Sequence, residues 1–257
     1  MDLPALDEAL SRYLRLDSFP IAAAFTDQEP PEGTRPASRM AGGPVTTCQV
    51  YGMARIYGWA MSATAQDLAC ALGMVAIGFA APTDDYSSGK IAASLYTRDE
   101  QVGAEMEAAV PKLELGRYRT FLVAPLHRVA FEPQVIALYG NAAQVMRMVN
   151  AVLYHGGSRV EGLAQGRLDC ADLLVHPIQS GEPAFVLPCN GDRIFGGVQD
   201  HEMAFTMPAS WADKLVEGLE ETHRKGVRYP IPRYLRYSPR MPASYEEMRE
   251  EIRRREG

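Results

Sequence analysis

Residues 133–157 read PQVIALYGNAAQVMRMVNAVLYHGG, and this stretch decides the fold class. Val135 to Tyr139 is a short run of branched and aromatic residues, which predicts a strand. Asn141 stands where a helix N-cap belongs, since its side chain can accept from the first unbonded backbone N–H groups. Val145, Met148, Val149 and Val152 recur behind it at helical spacing, and Gly156-Gly157 ends the run. A strand handed directly to a helix is the clearest α/β signature in the chain.

Working outward, Leu3, Leu6, Leu10, Tyr13 and Leu14 predict an opening amphipathic helix, and Pro20 to Phe25 a strand. Residues 27–43 read as a loop carrying Arg35 and Arg39. A helix is expected over Val45 to Met61, capped by Thr46 or Thr47. A second is expected over Thr64 to Phe79, where Thr64-x-x-Asp67 resembles a capping box. Ile91 to Tyr96 is apolar but ambiguous, Asp99 to Val110 reads as a helix, and Arg117 to Pro125 holds a strand. Leu173 to Ile178, Ala184 to Leu187, Ile194 to Val198 and Met203 to Met207 are four short apolar runs that read as strands. A helix with Trp211, Leu215, Val216 and Leu219 follows.

These elements predict a mixed α/β (α+β) fold: one domain over 1–226, with a mixed sheet flanked by helices. A C-terminal extension fills 227–257. In it Arg228 to Pro242 interleaves Tyr229, Tyr234 and Tyr237 with Arg228, Arg233, Arg236 and Arg240, and its prolines exclude regular structure. It reads as a packing arm able to join copies into a homo-oligomer, against the alternative of an aromatic–arginine nucleic-acid segment. The short terminal helix after it, from Ser244, is charged and reads as a solvated surface. No internal repeat is visible.

The 257 residues are 47% hydrophobic and 23% charged, enough for a sizeable core. A net charge of −6 argues against a general nucleic-acid partner. No apolar run is long enough to span a membrane, and Asp2, Asp7 and Glu8 do not suit a secretory signal. The expectation is a cytoplasmic protein whose four cysteines are reduced thiols.

The chemistry concentrates in Pro188-Cys189-Asn190-Gly191-Asp192-Arg193 and runs on to Asp200-His201-Glu202. A thiol, an amide, a carboxylate and a guanidinium crowd together directly after a strand-like run, where α/β folds place sites. The alternative is a polar turn reversed at Asn190-Gly191. His201, flanked by acids, suits acid–base work. Arg35, Arg39 and Arg193 suit an anionic ligand, or else ordinary surface ion pairs. No dinucleotide fingerprint, phosphate loop, nucleophile elbow or zinc-peptidase helix is present; position 205 is Phe205 where the last would need histidine. Cys48, Cys70, Cys170 and Cys189 form no C-x-x-C pair. Thiolates gathered from distant segments can nevertheless hold zinc or an iron–sulfur cluster, the alternative being four incidental buried thiols. Cys48 at a predicted helix start favours a thiolate, whereas Asp169 and Asp172 beside Cys170 oppose one.

The chain resembles the uncharacterised archaeal and bacterial family called domain of unknown function 169. The likeness is carried by PEGTRPASRM (31–40), TCQVYGMAR (47–55), DLACALGMVAIGF (67–79), LELGRYRTFLVAPL (113–126) and YGNAAQVMRMV (139–149). DCADLLVHPIQSGEP (169–183) and LPCNGDRIFGGVQDHEMAF (187–205) continue it. These segments cover most of residues 15–222 in order. The resemblance implies cysteines at the family positions held here by Cys48, Cys70, Cys170 and Cys189, and hence a shared iron–sulfur or zinc site. One departure is that Ala71-Leu72 follow Cys70, where the family is often Pro- and Gly-rich. The expectation is a redox or Lewis-acid protein for a small anionic molecule. Asp192 and His201 would move protons, and Arg35, Arg39, Asn190 and Arg193 would hold the substrate. The alternatives are a metal-free binding protein, or a thiol enzyme with Cys189 as nucleophile.

Overall fold

The computed structural model describes residues 1–157, 159–230 and 240–256. In chain order, α1 (Leu3–Tyr13) leads to β1 (Ile21–Thr26), β2 (Arg35–Pro36), α2 (Ala37–Ala41), α3 (Thr47–Tyr57) and β3 (Met61–Ala63). Next come α4 (Ala71–Ala76), α5 (Asp84–Ser87), α6 (Lys90–Ala93), α7 (Glu100–Ala108) and β4 (Thr120–Pro125). The chain continues through β5 (Val135–Asn141), α8 (Ala142–Leu153), β6 (Glu161–Leu163), a π-helical turn (Ala171–Val175) and α9 (His176–Ser180). It ends with β7 (Ala184–Val186), α10 (Asn190–Phe195), β8 (Glu202–Pro208), α11 (Ala212–Arg224) and α12 (Ala243–Glu256). The fold is the expected mixed α/β domain, an open sheet flanked by helices. Arg233, Tyr234, Arg236 and Tyr237 of the expected arm lie outside the described residues.

Local chemistry explains the main helices. Asn141 Oδ1 accepts from the N–H groups of Ala143 and Gln144, while Gln144 Oε1 accepts from the Asn141 N–H. Thr46 and Gln49 build the same reciprocal box on α3. Gly58 ends α3 at φ 70°, a left-handed conformation that side chains oppose.

The eight strands lie in the order β2-β3-β4-β1-β5-β8-β7-β6. Each half of this order repeats the other. β2 is parallel to β3, β3 antiparallel to β4, and β4 antiparallel to β1; β6, β7, β8 and β5 are related in the same way. The registers also correspond. Ile21 faces Pro125 as Val135 faces Pro208, and Met61 faces Val123 as Ala184 faces Thr206. Where the halves meet, Ile21 pairs with Ala137 and Ala23 with Val135, so a pseudo-two-fold axis passes the Ala22–Ile136 pair. No repeat is visible in the sequence; the repeat is one of topology.

Strand alternation sends side chains to two cores. Ala22, Ile136, Leu138, Phe205 and Met207 pack under α1, α8 and α11. Ile21, Ala23, Phe25, Phe121, Val123, Ala137 and Tyr139 share the opposite core with α3 and the π-helical turn. Cys48 and Cys170 belong to this second core.

Several expected elements differ. Leu173 to Ile178 is π- and α-helical, and Ile194-Phe195 closes α10, so neither run is a strand. Short buried apolar runs satisfy either period, and the tertiary layer decides. The expected helix over Thr64 to Phe79 breaks into a 3-10 turn and α4, because Val45 and Leu68 bridge between them. The helix expected over Val45 to Met61 ends at Tyr57, and Met61 begins β3. The expected loop over 27–43 contains β2 and α2.

Candidate functional site

Each cysteine stands at the start of a helical segment. Cys48 is the second residue of α3, Cys70 and Cys189 are the N-cap residues of α4 and α10, and Cys170 directly precedes the π-helical turn. The pseudo-two-fold axis relates them in pairs. Cys48 and Cys170 open the helical segments that join the two parallel strands of each half. Cys70 and Cys189 cap the helices that follow the second of those strands. The helices then cross over: α10 of the second half packs on α3 of the first, and α4 of the first packs on the π-helical turn of the second. All four thiols are free, and Cys48, Cys170 and Cys189 are buried.

The thiols feel one another. Burial pushes the Cys48 thiol well above its ordinary range, and Cys170 and Asp169 add to it. Burial does the same to Cys170, with Asp169, Cys70 and Cys189 contributing. Cys189 is pushed up to about 12, first by burial and then by Asp169. Its Sγ donates to Asp169 Oδ1 at 3.0 Å, and its N–H donates to Asp169 Oδ2 at 3.3 Å. Cys70 Sγ accepts from the Gly73 N–H at 3.3 Å.

A chain of polar groups runs back from the thiols into the sheet. The carboxyl groups of Asp169 and Asp192 meet, both almost wholly buried, and burial followed by Asp169 raises the Asp192 pKa. Like charges side by side in low dielectric are unfavourable, which favours the protonated form of Asp192. Tyr139 Oη donates to Asp192 Oδ2 at 2.7 Å. The Arg55 guanidinium lies 4.3 Å from the Tyr139 ring centre and reaches Glu202 at 3.1 and 3.3 Å. Tyr51, wholly buried, stacks near Tyr139 at 6.5 Å between ring centres.

The expected site residues divide. Cys48, Cys70, Cys170, Cys189 and Asp192 are brought together. His201 is exposed in the turn before β8, and the partner of Cys189 is Asp169. Asn190 is exposed at the start of α10. Arg193 donates to the Gln199 carbonyl at 2.9 Å. Arg35 lies 5.8 Å from the Trp59 ring centre, and Arg39 is exposed on α2. None of these joins the buried polar chain. Asp169, Tyr139, Tyr51, Arg55 and Glu202 do join it, and no motif gave them a role. In the sequence Asp169 shows only as the acid beside Cys170, Glu202 as an acid flanking His201, and Tyr139 as the end of a predicted strand.

The fit to a metal follows from this geometry. Among the described residues, no group of three or more His, Cys, Asp or Glu side chains is placed to hold a metal ion as it stands. A single zinc needs every sulfur about 2.3 Å from one point. A polynuclear iron–sulfur cluster carries its thiolates on separate irons and so tolerates a wider spread. The donor set, four thiols and no histidine, fits the cluster better than a mixed zinc site.

The model of the domain of unknown function 169 family, described as "Uncharacterised ArCR", matches residues 9–218 of this chain. The chain belongs to that family. A relative, the uncharacterized protein MJ0308 of Methanocaldococcus jannaschii, is 31% identical over 176 residues, spanning 67% of this chain and 75% of its own. No solved structure matches the chain. The family match takes in both halves of the sheet and all four cysteines, and ends within α11. Among the described residues no helix is long and apolar enough to cross a membrane.

Proposed function

We propose that this family member binds an iron–sulfur cluster through Cys48, Cys70, Cys170 and Cys189, and serves as a redox or Lewis-acid protein for a small anionic substrate. One observation supports the reading: each half contributes two free thiols from helix starts, and across the halves Cys48 feels Cys170 while Cys170 feels both Cys70 and Cys189. When bound, such a cluster supplies electron transfer, or a Lewis acid if one iron is left open. The chain's own residues have separate tasks. The N–H groups at the helix starts favour sulfur in its thiolate form. Asp192, its carboxyl fixed by Tyr139, is the group suited to hold a proton there, and Asp169 accepts from the Cys189 thiol. Arg193, on α10, is the arginine that follows Asp192 directly and is the first candidate to meet an anion.

The thiol-enzyme reading loses ground on two observations. A Cys189 thiol pushed up to about 12 is protonated at neutral pH, and the exposed His201 is not its partner. The test is iron and acid-labile sulfide content, with a visible spectrum, on protein purified without oxygen. Stoichiometric iron and sulfide are expected. Cys48→Ser and Cys170→Ser, one from each half, should each retain less than about a tenth of the iron. Colourless, iron-free, well-folded protein overturns the proposal.

A further inference from the structure

Among the described residues, two apolar features stand open to solvent. The first is a groove of about 400 Å³ where α2, α3 and the end of α10 come together. Met40, Met53, Ile56, Tyr57, Trp59 and Phe195 line it. Its rim is apolar and open: Ile56 is 46%, Tyr57 61% and Phe195 52% exposed, and Ile194 next to it is 63% exposed. Its floor is held flat by glycine. A Cβ on Gly52 would meet the Gly196 carbonyl oxygen at 3.0 Å, so α3 and the end of α10 touch backbone to backbone.

The second feature is α12, a helix of 14 residues with no buried side chain. Tyr245, Met248 and Ile252 follow one another at three- and four-residue steps and form a single stripe. They are 60%, 62% and 44% exposed. A charged helix that keeps one such stripe has an apolar face built to be covered, and the helix-in-groove mode uses this anchor spacing. A groove rich in methionine and aromatic side chains is the surface that adapts to such a helix.

We propose that α12 of a second copy of this chain lies in the groove, in a reciprocal exchange that makes a two-fold dimer. Charge supports the match. The early turns of α12 carry Glu246, Glu247, Glu250 and Glu251 against Arg249 alone, while on the groove side Arg35 lies 5.8 Å from the ring centre of Trp59 and Arg39 adjoins Met40. Exchange also doubles a contact that is small by itself, because each copy both gives a helix and receives one. The covered groove lies over Gly196, and the ideal Cβ position of Gly196 is 1.8 Å from Asp192 Oδ1. The partner helix therefore seals the surface above the buried carboxyl pair. This inference holds with or without a cluster.

The experiment is sedimentation equilibrium on the full chain. Wild type should be dimeric. Met248→Glu on the helix and Tyr57→Glu in the groove should each weaken the dimer at least about tenfold, as loss of a central anchor does. Both side chains are exposed, so the far-ultraviolet circular dichroism should stay unchanged, and the thermal midpoint should match wild type once both are dilute enough to be monomeric. Phe195→Cys combined with Met248→Cys should trap a covalent dimer on oxidation. A wild-type chain monomeric at about 100 μM, well above the Kd of a specific dimer, overturns the proposal. So does a dimer that survives Met248→Glu, or a disulfide that closes within one chain.

Discussion

The two halves of the sheet share strand order, direction and register, yet differ where they meet the thiols. In the second half, Asp169 precedes Cys170 and Asp192 follows Cys189 by three residues. In the first half, Thr47 precedes Cys48 and Gly73 follows Cys70 by three. The Thr47 hydroxyl is wholly buried and has no partner among the described residues, and a Cβ on Gly73 would sit 2.5 Å from it. One side of the site is therefore small and close-packed, while the other carries a buried carboxyl pair. Their connections differ too. Residues 64–119 link β3 to β4 and hold four helices, whereas residues 187–201 link β7 to β8 and hold one. The second half also replaces the regular start of α3 with a π-helical turn, a distortion that often marks functional positions. A symmetric scaffold thus frames a site whose two sides are chemically unequal.

Two buried ion pairs tie the halves together, and they are unequal as well. Arg55 of the first half pairs with Glu202 of the second, and Glu202 Oε2 also accepts from the Gln199 N–H at 2.8 Å. Arg167 of the second half pairs at 2.6 Å with Glu107 in the first half's helical insertion. Among the described residues Arg167 Nε and Nη2 have no partner in that pair, whereas in the first only Arg55 Nε lacks one. Glu202→Gln, which strands the Arg55 charge, should cost about 3–5 kcal/mol in urea unfolding. Arg55→Met with Glu202→Met should remain destabilising, because it also removes the contact with Tyr139. Arg167→Met with Glu107→Met should be neutral or stabilising by up to about 4 kcal/mol, because that pair leaves polar atoms unsatisfied. Equal outcomes for the two double variants would erase the distinction between the pairs.

Thiol labelling sharpens the comparison at the next level. In metal-free protein at pH 8, Cys70 is the half-exposed member and should react first with an alkylating agent. Cys189, pushed up to about 12, should react at least about a hundredfold more slowly than an ordinary thiol, because its thiolate fraction is so small. Mass spectrometry of timed digests reads the order. Rapid labelling of Cys189 would remove the distinction between a reachable Cys70 and its sealed counterpart in the second half.

The smallest expected effect is a pH dependence at His176, the first residue of α9. Burial lowers its pKa. The unfolded chain then takes up a proton before the folded one, so stability falls as pH drops through about 6.5 toward the folded value. His176→Gln should remove that slope, by less than about 1 kcal/mol for a group only partly shielded. An unchanged slope between pH 7 and 5 would show that His176 does not carry it.

Much of the frame was legible because it is encoded locally. Asn141 with Gln144 and Thr46 with Gln49 cap their helices through side chains three residues apart, and β1, β4 and β5 declare themselves as short apolar runs. Where burial surrounds a short segment, the local code fails. Leu173 to Ile178 and Ile194 to Val198 suit strand and helix equally, and only packing against α3 and the sheet selects the helix. The site was legible as residue types, four thiols and Asp192, but not as a place. His201 and the arginines looked equally suitable and lie outside the buried chain.

By itself, then, the sequence determined the α/β class, the caps, the family and the thiols on offer. The tertiary structure decided the doubled topology, the pairing of Cys48 with Cys170 and of Cys70 with Cys189, and the contact of Asp169 with Asp192. The reason is physical. Caps and strand periods are set by neighbours along the chain. A two-fold relation between halves joined by connections of unequal length is set by hydrogen-bond register and by which core each face buries, and these exist only once the sheet has closed around its centre.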